Sequence, residues 1–448
     1  MTNEEKQKFL KTMRERREIG ERAEAHNREK AKKTINFVYP TEEWGQWDKD
    51  LFNFRTSRGM PCLSINRLPA FINQVAGDQL QNRPQVKIHA AGLDSDQKTA
   101  QTIEGMFRQA EQSSRAKYIV DQAYKTMCAS GYPTHWQINT QYVNEDSFDQ
   151  EIVWQAIEDQ YSVVRDPYAR ENDRRDSNWL IMLETISEDE FKRRYPSKEI
   201  PKSADAGITN YNTWFGDKSV TLAIYWTRKS RKRTLCALTS NGKTFWKDDQ
   251  PDEIKQAVAE NRLDPSKWIE RESDDWTTEV SVCSGTDILD EPAEKPWKWI
   301  PVVSMIPPYI IKDDGKRWYR AIAEDSIDPQ RFYNYWKSLN VQMIKPKPTR
   351  VTWKMIKNHL KWWDASDKSS YEYIPIDADA DMPGGPHDSP PPQVSTAVVQ
   401  EEQSSIEDIK ATMGMWNPSL GASEQSLSGK AIGKLQMAGD KGNLEYVN

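Results

Sequence analysis

Enzymes of familiar type betray themselves through clustered carboxylates, histidines beside nucleophiles, or glycine-rich loops that cradle phosphate. This 448-residue chain is poor in all three. Its 5 histidines are scattered, and no HExxH, GxSxG or Cys/His cluster occurs. The nearest approach to a phosphate loop is Gly421 to Ala431, but Gly429-Lys430 lies too far from Gly421, and Ala431 stands where a magnesium-binding hydroxyl would be needed. An ATP-driven motor is therefore not expected, and neither a cofactor nor a catalytic residue is assigned.

Two acidic groups invite a metal reading. Asp377, Asp379, Asp381 and Asp388 fall at positions 1, 3, 5 and 12 of a calcium-loop pattern, yet Met382 takes the glycine position and no flanking helix pair is evident. Asp166, Asp173 and Asp176 form the second group, where Asp166-Pro167 and Asn172-Asp173 are ordinary turn formers. In both, the plainer reading of an acidic loop is preferred and no metal is assigned.

The basic residues Lys345, Lys347, Arg350, Lys354, Lys357 and Lys361 are more informative. On a helix, Arg350, Lys354, Lys357 and Lys361 share one face and Trp353, Ile356, Leu360 and Trp363 another, with the stripes roughly 110° apart. Such an arrangement fits a basic strip facing nucleic acid, but from the residues alone the solvated face of an amphipathic helix is the preferred reading.

Composition limits what such a strip can do. With 62 basic against 68 acidic residues the net charge is −6, so a simple high-affinity nucleic-acid binder is not indicated and any DNA contact must be local or weak. Eighteen Trp, 17 Tyr and 11 Phe supply bulky surface that disordered chains lack, so the chain folds and is rich in interfaces. Cys62, Cys128, Cys236 and Cys283 are widely spaced with no CxxC pair, against a disulfide framework or zinc ribbon and in keeping with a reducing compartment. No stretch approaches the roughly 20 apolar residues of a membrane span, and the charged N-terminus lacks an export signal's apolar core. The length calls for two or three packed units.

Periodicity then places the elements. Residues 1–33 alternate Glu with Lys and Arg around a thin stripe of Phe9, Leu10 and Met13, predicting an exposed helix. Leu68, Phe71, Ile72 and Val75 predict a helix ending at Pro84, and a second, on the order of 50 Å long, runs from about Asp96 to Ser130 and closes at Gly131. Period-two stretches at residues 135–143, 152–157 and 161–164 predict a small sheet. Residues 220–306 read as a separate α/β module, with short strands at Val220 to Trp226, Thr234 to Leu238 and Thr278 to Val282, a helix at Pro251 to Ala259, and a turn at Asn241-Gly242. Asp328-Pro329 starts a helix lined on one face by Phe332, Tyr335, Trp336, Leu339 and Met343. Six prolines and Gly384-Gly385 make residues 374–393 a loop, and Val394, Val398, Ile406, Ile409 and Met413 predict a helix ending at Gly414.

Several of these segments, in this order, resemble the portal, or head-to-tail connector, family of short-tailed double-stranded DNA phages. The most specific stretch is Cys62-Leu63-Ser64-Ile65-Asn66-Arg67-Leu68, continuing through Gly77-Asp78-Gln79 to Asn82-Arg83-Pro84. It is followed by Ser162-Val163-Val164-Arg165-Asp166-Pro167 with Asp176 and Trp179, by Asp328-Pro329-Gln330 with Asn334 and Ser338, and by Ser428-Gly429-Lys430-Ala431-Ile432 with Gln436 and Gly439. The likeness spans the chain from about Phe37 to Gly439; each motif is short and carries no chemistry.

The resemblance implies an α+β portal fold: a mixed α/β wing with an N-terminal arm (1–219), a clip-like α/β module (220–306), a stem helix region (307–345), a channel-constriction segment with the Pro-rich loop (346–393), and a helix returning to the wing (394–448). It implies a homo-oligomeric ring of twelve subunits at one capsid vertex, assembled in the host cytoplasm and carried in the virion. Double-stranded DNA would pass through it, and terminase packaging motor, capsid and scaffolding proteins, and tail adaptors would dock on it; no membrane is involved. Family members commonly continue past the Ser-Gly-Lys-Ala-Ile stretch into a crown or barrel, so an upper part is expected to be missing here or supplied otherwise. The competing expectations are another virion structural protein, such as a head-tail adaptor or capsid protein, and a packaging nuclease or ATPase.

Overall fold

A computed structural model of the protein describes residues 1–81, 83, 85–90, 96–198, 200, 215–216, 219–238, 244–260, 262, 268–344, 351–363, 374–379 and 396–414. Its helices, in chain order, are α1 (Asn3–Val38), α2 (Lys49–Ser57), α3 (Leu68–Gln81), α4 (Gln97–Ser113), α5 (Ala116–Ser130), α6 (Glu188–Arg194), α7 (Asp252–Ala259), α8 (Ile327–Ile344), α9 (Trp353–Ile356), α10 (Leu360–Trp363) and α11 (Thr396–Thr412). The strands are β1 (Thr134–Tyr142), β2 (Gln150–Ile157), β3 (Val163–Arg165), β4 (Trp179–Ser187), β5 (Phe215–Gly216), β6 (Ser219–Ala237), β7 (Thr244–Trp246), β8 (Ile269–Cys283), β9 (Ile288–Lys295), β10 (Val302–Met305), β11 (Tyr309–Ile311) and β12 (Arg317–Tyr319). Helices and antiparallel sheets make the chain α+β. It divides into two units, Met1–Lys33 with Ala76–Ala321 and Thr34–Val75 with Ile322–Asn448.

In the first unit the N-terminal helix is not the exposed rod its composition predicts. Leu10 and Met13 are buried in a core with Val164, Trp179, Ile181, Phe191, Leu222 and Tyr225. Gly20 lets the helix backbone approach the sheet, since a Cβ there would collide with the Val164 side chain and the Arg165 carbonyl. Polar groups complete the docking. The Arg16 guanidinium donates to the Tyr225 hydroxyl and lies 5.9 Å from the Trp179 ring centre, Asn27 Nδ2 donates to the Arg317 carbonyl at 2.8 Å, and Lys30 Nζ donates to the Tyr319 carbonyl at 2.7 Å. An apolar stripe two residues wide suffices because guanidinium stacking and backbone-directed bonds bury the rest, which a count of hydrophobic residues cannot register.

The long helix expected between Asp96 and Ser130 is broken into α4 and α5. Asp96 caps α4 through the Lys98 N–H, and Gly131 (φ 65°) closes α5, both as anticipated. Between them Arg115 adopts a left-handed conformation (φ 52°) that turns the chain.

Among the described residues the strands form three antiparallel sheets, ordered β10-β1-β2, β11-β12 and β3-β4-β6-β8-β9, with β5 and β7 also paired to β6. β6 is one 19-residue strand where two short ones were expected, and it pairs with all of β8 from Ala223–Cys283 to Ala237–Ile269. Its first half is buried in the sheet beside β4; from Lys229 to Lys232 it is exposed and the β6–β8 pair becomes a two-stranded ribbon. Lys229 bonds Glu279 at 2.6 Å, and Arg233 pairs with Asp275 at 2.8 Å and Asp248 at 2.7 Å. A ribbon wet on both faces needs no apolar alternation, so opposite charges across the strands replace it and hide the strand from period-two reading. At its far end Cys236, Leu238, Phe245 and Ile254 form a small core with Trp268, onto which α7 packs.

In the second unit α8 packs against α11, tied by Lys337–Glu402 at 2.5 Å, Asn340–Glu402 at 2.8 Å and Ser326–Thr412 at 2.7 Å. The α11 helix covers most of the predicted span and ends at Gly414 (φ 67°).

Candidate functional site

Helix α8 carries Gln330, Asn334 and Ser338 at a spacing of four, on one face, and all three are at most 2% exposed. Such polar groups are buried only if bonded. Their partner is the backbone of residues 63–67. Ser338 Oγ accepts from Leu63 N at 2.8 Å, Asn334 Oδ1 from Ile65 N at 3.0 Å, and Gln330 Oε1 from Arg67 N at 3.2 Å, while Gln330 Nε2 returns a bond to the Ile65 carbonyl at 2.8 Å. Two residues of extended chain advance about 6.6 Å and four residues of helix about 6 Å, so helical side chains at this interval can serve alternate backbone groups as a neighbouring strand would. The network continues from Asn334 Nδ2 to Gln46 Oε1 at 2.8 Å and from Gln46 Nε2 to the Phe37 carbonyl at 3.1 Å. Arg67 donates to the Tyr333 hydroxyl at 3.0 Å with its guanidinium 4.7 Å from that ring's centre.

This ladder joins two of the short motifs, residues 62–68 and 328–338, and explains why neither shows chemistry: their polar residues are spent on each other. The apolar residues of α8 lie elsewhere on the helix. Phe332 is 59% and Tyr335 37% exposed, and with Leu51 and Trp47 they line an open groove of about 590 Å³. The missed signal was the Gln-x3-Asn-x3-Ser interval, which hydropathy scores as a solvent face.

Of the basic candidates, Lys345, Lys347 and Arg350 lie outside the described residues. Lys354, Lys357 and Lys361 are exposed, but on two single turns, α9 and α10, where one helix was expected. The chain leaves the helix at residues 357–359 because Asn358 Nδ2 and His359 Nε2 both reach the Asp377 carboxylate, at 2.8 and 3.0 Å, and Asp377 N donates to the Met355 carbonyl at 3.0 Å. The His359 bond, followed by that of Asn358, holds the Asp377 carboxyl below its ordinary range. Asp379 accepts from the Thr352 hydroxyl and lies 3.9 Å from Lys354 Nζ. Two carboxylates of the calcium-like pattern thus brace the basic turns; Asp381 and Asp388, like Gly421 to Ala431, lie outside the described residues. Met355 is buried beneath α9 whereas Trp353, assigned to the apolar stripe, is 62% exposed.

The other acidic group, in the first unit, serves backbone. Asp166 accepts from Tyr168 N and Asn178 N, Asp173 from Arg175 N, and Asp176 from Arg170 N and Glu171 N. The buried Arg165 donates to the Val302 carbonyl at 2.6 Å, and burial followed by its neighbour Arg174 pulls its guanidinium down to about 10. Arg174 in turn pairs with Glu24 at 2.9 Å. These bonds organise the turn between β3 and β4, and no group of metal-ligating side chains occurs among the described residues. No helix among them is long and apolar enough to cross a membrane.

Comparison with known proteins adds a family. The model of the phage P22-like portal protein family matches residues 14–448. A curated relative, the portal protein of Acyrthosiphon pisum secondary endosymbiont phage 1, is 24% identical over 396 residues, covering 80% of this chain and 52% of the relative. The chain therefore spans about half the length of that relative.

Proposed function

Because the chain belongs to the phage P22-like portal protein family, we propose that it is the subunit of a ring-shaped channel at one capsid vertex, through which double-stranded DNA is packaged and ejected. The family match along nearly the whole chain carries this reading. The role is structural: the ring holds a path open and gives the terminase motor, capsid, scaffold and tail adaptors a place to dock.

On this reading residues 220–306 supply the clip, with the charge-laced β6–β8 ribbon and its small terminal core as the outer end. The helix α8 supplies the stem. Its exposed Phe332 and Tyr335 suit burial against a neighbouring subunit, since a ring closes through contacts between different patches on successive copies. Lys354, Lys357 and Lys361, with Lys345, Lys347 and Arg350, belong to the segment near the constriction and meet phosphates transiently. A conduit must let DNA slide, and many simultaneous phosphate contacts would hold it. The −6 net charge favours repulsion from most of the wall with a few cations at the narrowest point.

Electron microscopy of the purified protein with parallel measurement of particle mass tests the reading. Rings of twelve copies around an open channel are expected. A monomer under assembly-permitting conditions, or a closed particle without a channel, overturns it.

A further inference from the structure

The first unit contains a groove of about 1130 Å³ between the end of α3, α4, α5 and the sheet strands β1 and β2. Its apolar lining includes Phe107 and Trp154, whose rings meet edge to face at 6.2 Å, and Tyr118, which is 70% exposed. Its rim is basic. Arg83 and Arg108 are each paired with a carboxylate, Asp121 and Glu104, but Arg115 and Lys117 make no ion pair or side-chain hydrogen bond among the described residues. Arg115 stands at the left-handed break between the two helices, and it lines the groove together with Lys117. An open site with aromatic walls and uncommitted cations matches an acidic segment carrying an aromatic side chain.

The same unit presents such a segment. The β1–β2 hairpin ends in the tip Val143 to Asp149, which holds Glu145, Asp146 and Asp149 and no basic residue. Phe148 projects from it 95% exposed, the most exposed of the large apolar side chains among the described residues. The tip is braced rather than loose: Val143 N donates to the Asp149 carbonyl at 3.0 Å, and Asp149 N to Ser147 Oγ at 2.9 Å. A stiff projection loses little conformational entropy on docking.

We propose that the hairpin tip of one copy inserts into this groove on the next, Phe148 entering among Phe107, Tyr118 and Trp154 while Glu145, Asp146 and Asp149 meet Arg115 and Lys117. Knob and groove are different patches of one unit, so the contact is head-to-tail and propagates around a ring. The inference rests on the ring reading above and names one surface that closes it.

A charge swap in the full chain tests it. Glu145→Lys/Asp146→Lys/Asp149→Lys, and separately Arg115→Glu/Lys117→Glu, are each expected to raise the concentration for half-assembly, read by particle mass, at least about tenfold. Combining both sets in one chain is expected to bring it back to within about threefold of the unaltered protein, a recovery that misfolding of either variant would not produce. Phe148→Ala is expected to weaken assembly without changing the melting temperature of the monomer. If the unaltered chain forms rings and the one-sided swaps assemble equally well, or the combined swap recovers nothing, this contact is refuted while the portal reading stands. If the unaltered chain forms no ring, the portal reading falls and takes the contact with it.

Discussion

Asn334 shows how a residue can matter without touching a ligand. Its oxygen accepts the Ile65 N–H and its amide donates to Gln46, so truncation leaves both partners without this bond. Asn334→Ala is expected to destabilise the protein by about 2–3 kcal/mol, the cost of leaving buried donors and acceptors unpaired. Phe332→Ala, on the exposed face, should change monomer stability by no more than about 0.5 kcal/mol. Urea unfolding of the two variants separates these cases; equal effects would mean that α8 is held by its apolar face after all. The residues Gln330, Asn334 and Ser338 were legible as a motif, and their role was not. A polar stripe on a helix reads as a wet face until the chain that it bonds is seen, and that chain lies more than 260 positions away in sequence.

At the scale of elements, local signals marked ends better than interiors. Gly131 stops α5, and Gly414 stops α11, because a residue with positive φ terminates a helix cheaply only when it lacks a Cβ. Gly131 is constrained twice: a Cβ there would lie 2.5 Å from Ala321 N and 2.7 Å from its Cα. Gly131→Ala is therefore expected to cost about 2–4 kcal/mol, from left-handed strain together with overpacking against backbone, as a drop in melting temperature would report. The break at Arg115 and the full length of β6 escaped periodicity for opposite reasons. The residues flanking Arg115 suit a helix, and its left-handed backbone is not written in their types, whereas the exposed stretch of β6 has no buried face to impose alternation.

For the whole molecule, on the proposed reading, the question is how a ring of acidic subunits would handle DNA. Replacing Lys354, Lys357 and Lys361 together with alanine is expected to change retention or packaging of DNA by about threefold or more, because each lost phosphate contact weakens a salt-dependent hold. Particle mass should stay that of the complete ring. Loss of rings in this variant would assign the three lysines to subunit contacts. Lys354 already lies 3.9 Å from Asp379, so its grip on phosphate is shared and the other two are expected to contribute more.

The sequence by itself determined the α+β class, the helix ends at Asp96, Gly131 and Gly414, and, through the order of its short motifs, the family. It could do so because caps, turns and motif order are written in neighbouring residues. Tertiary structure alone decided that one face of α1 is buried, that α8 presents its polar stripe to residues 63–67, that the basic turns are braced by Asp377 and Asp379, and that a bare hairpin tip and an aromatic groove share one unit. Each of these depends on which distant segment meets a given face, and burial of a polar or charged side chain follows its partner, not its type.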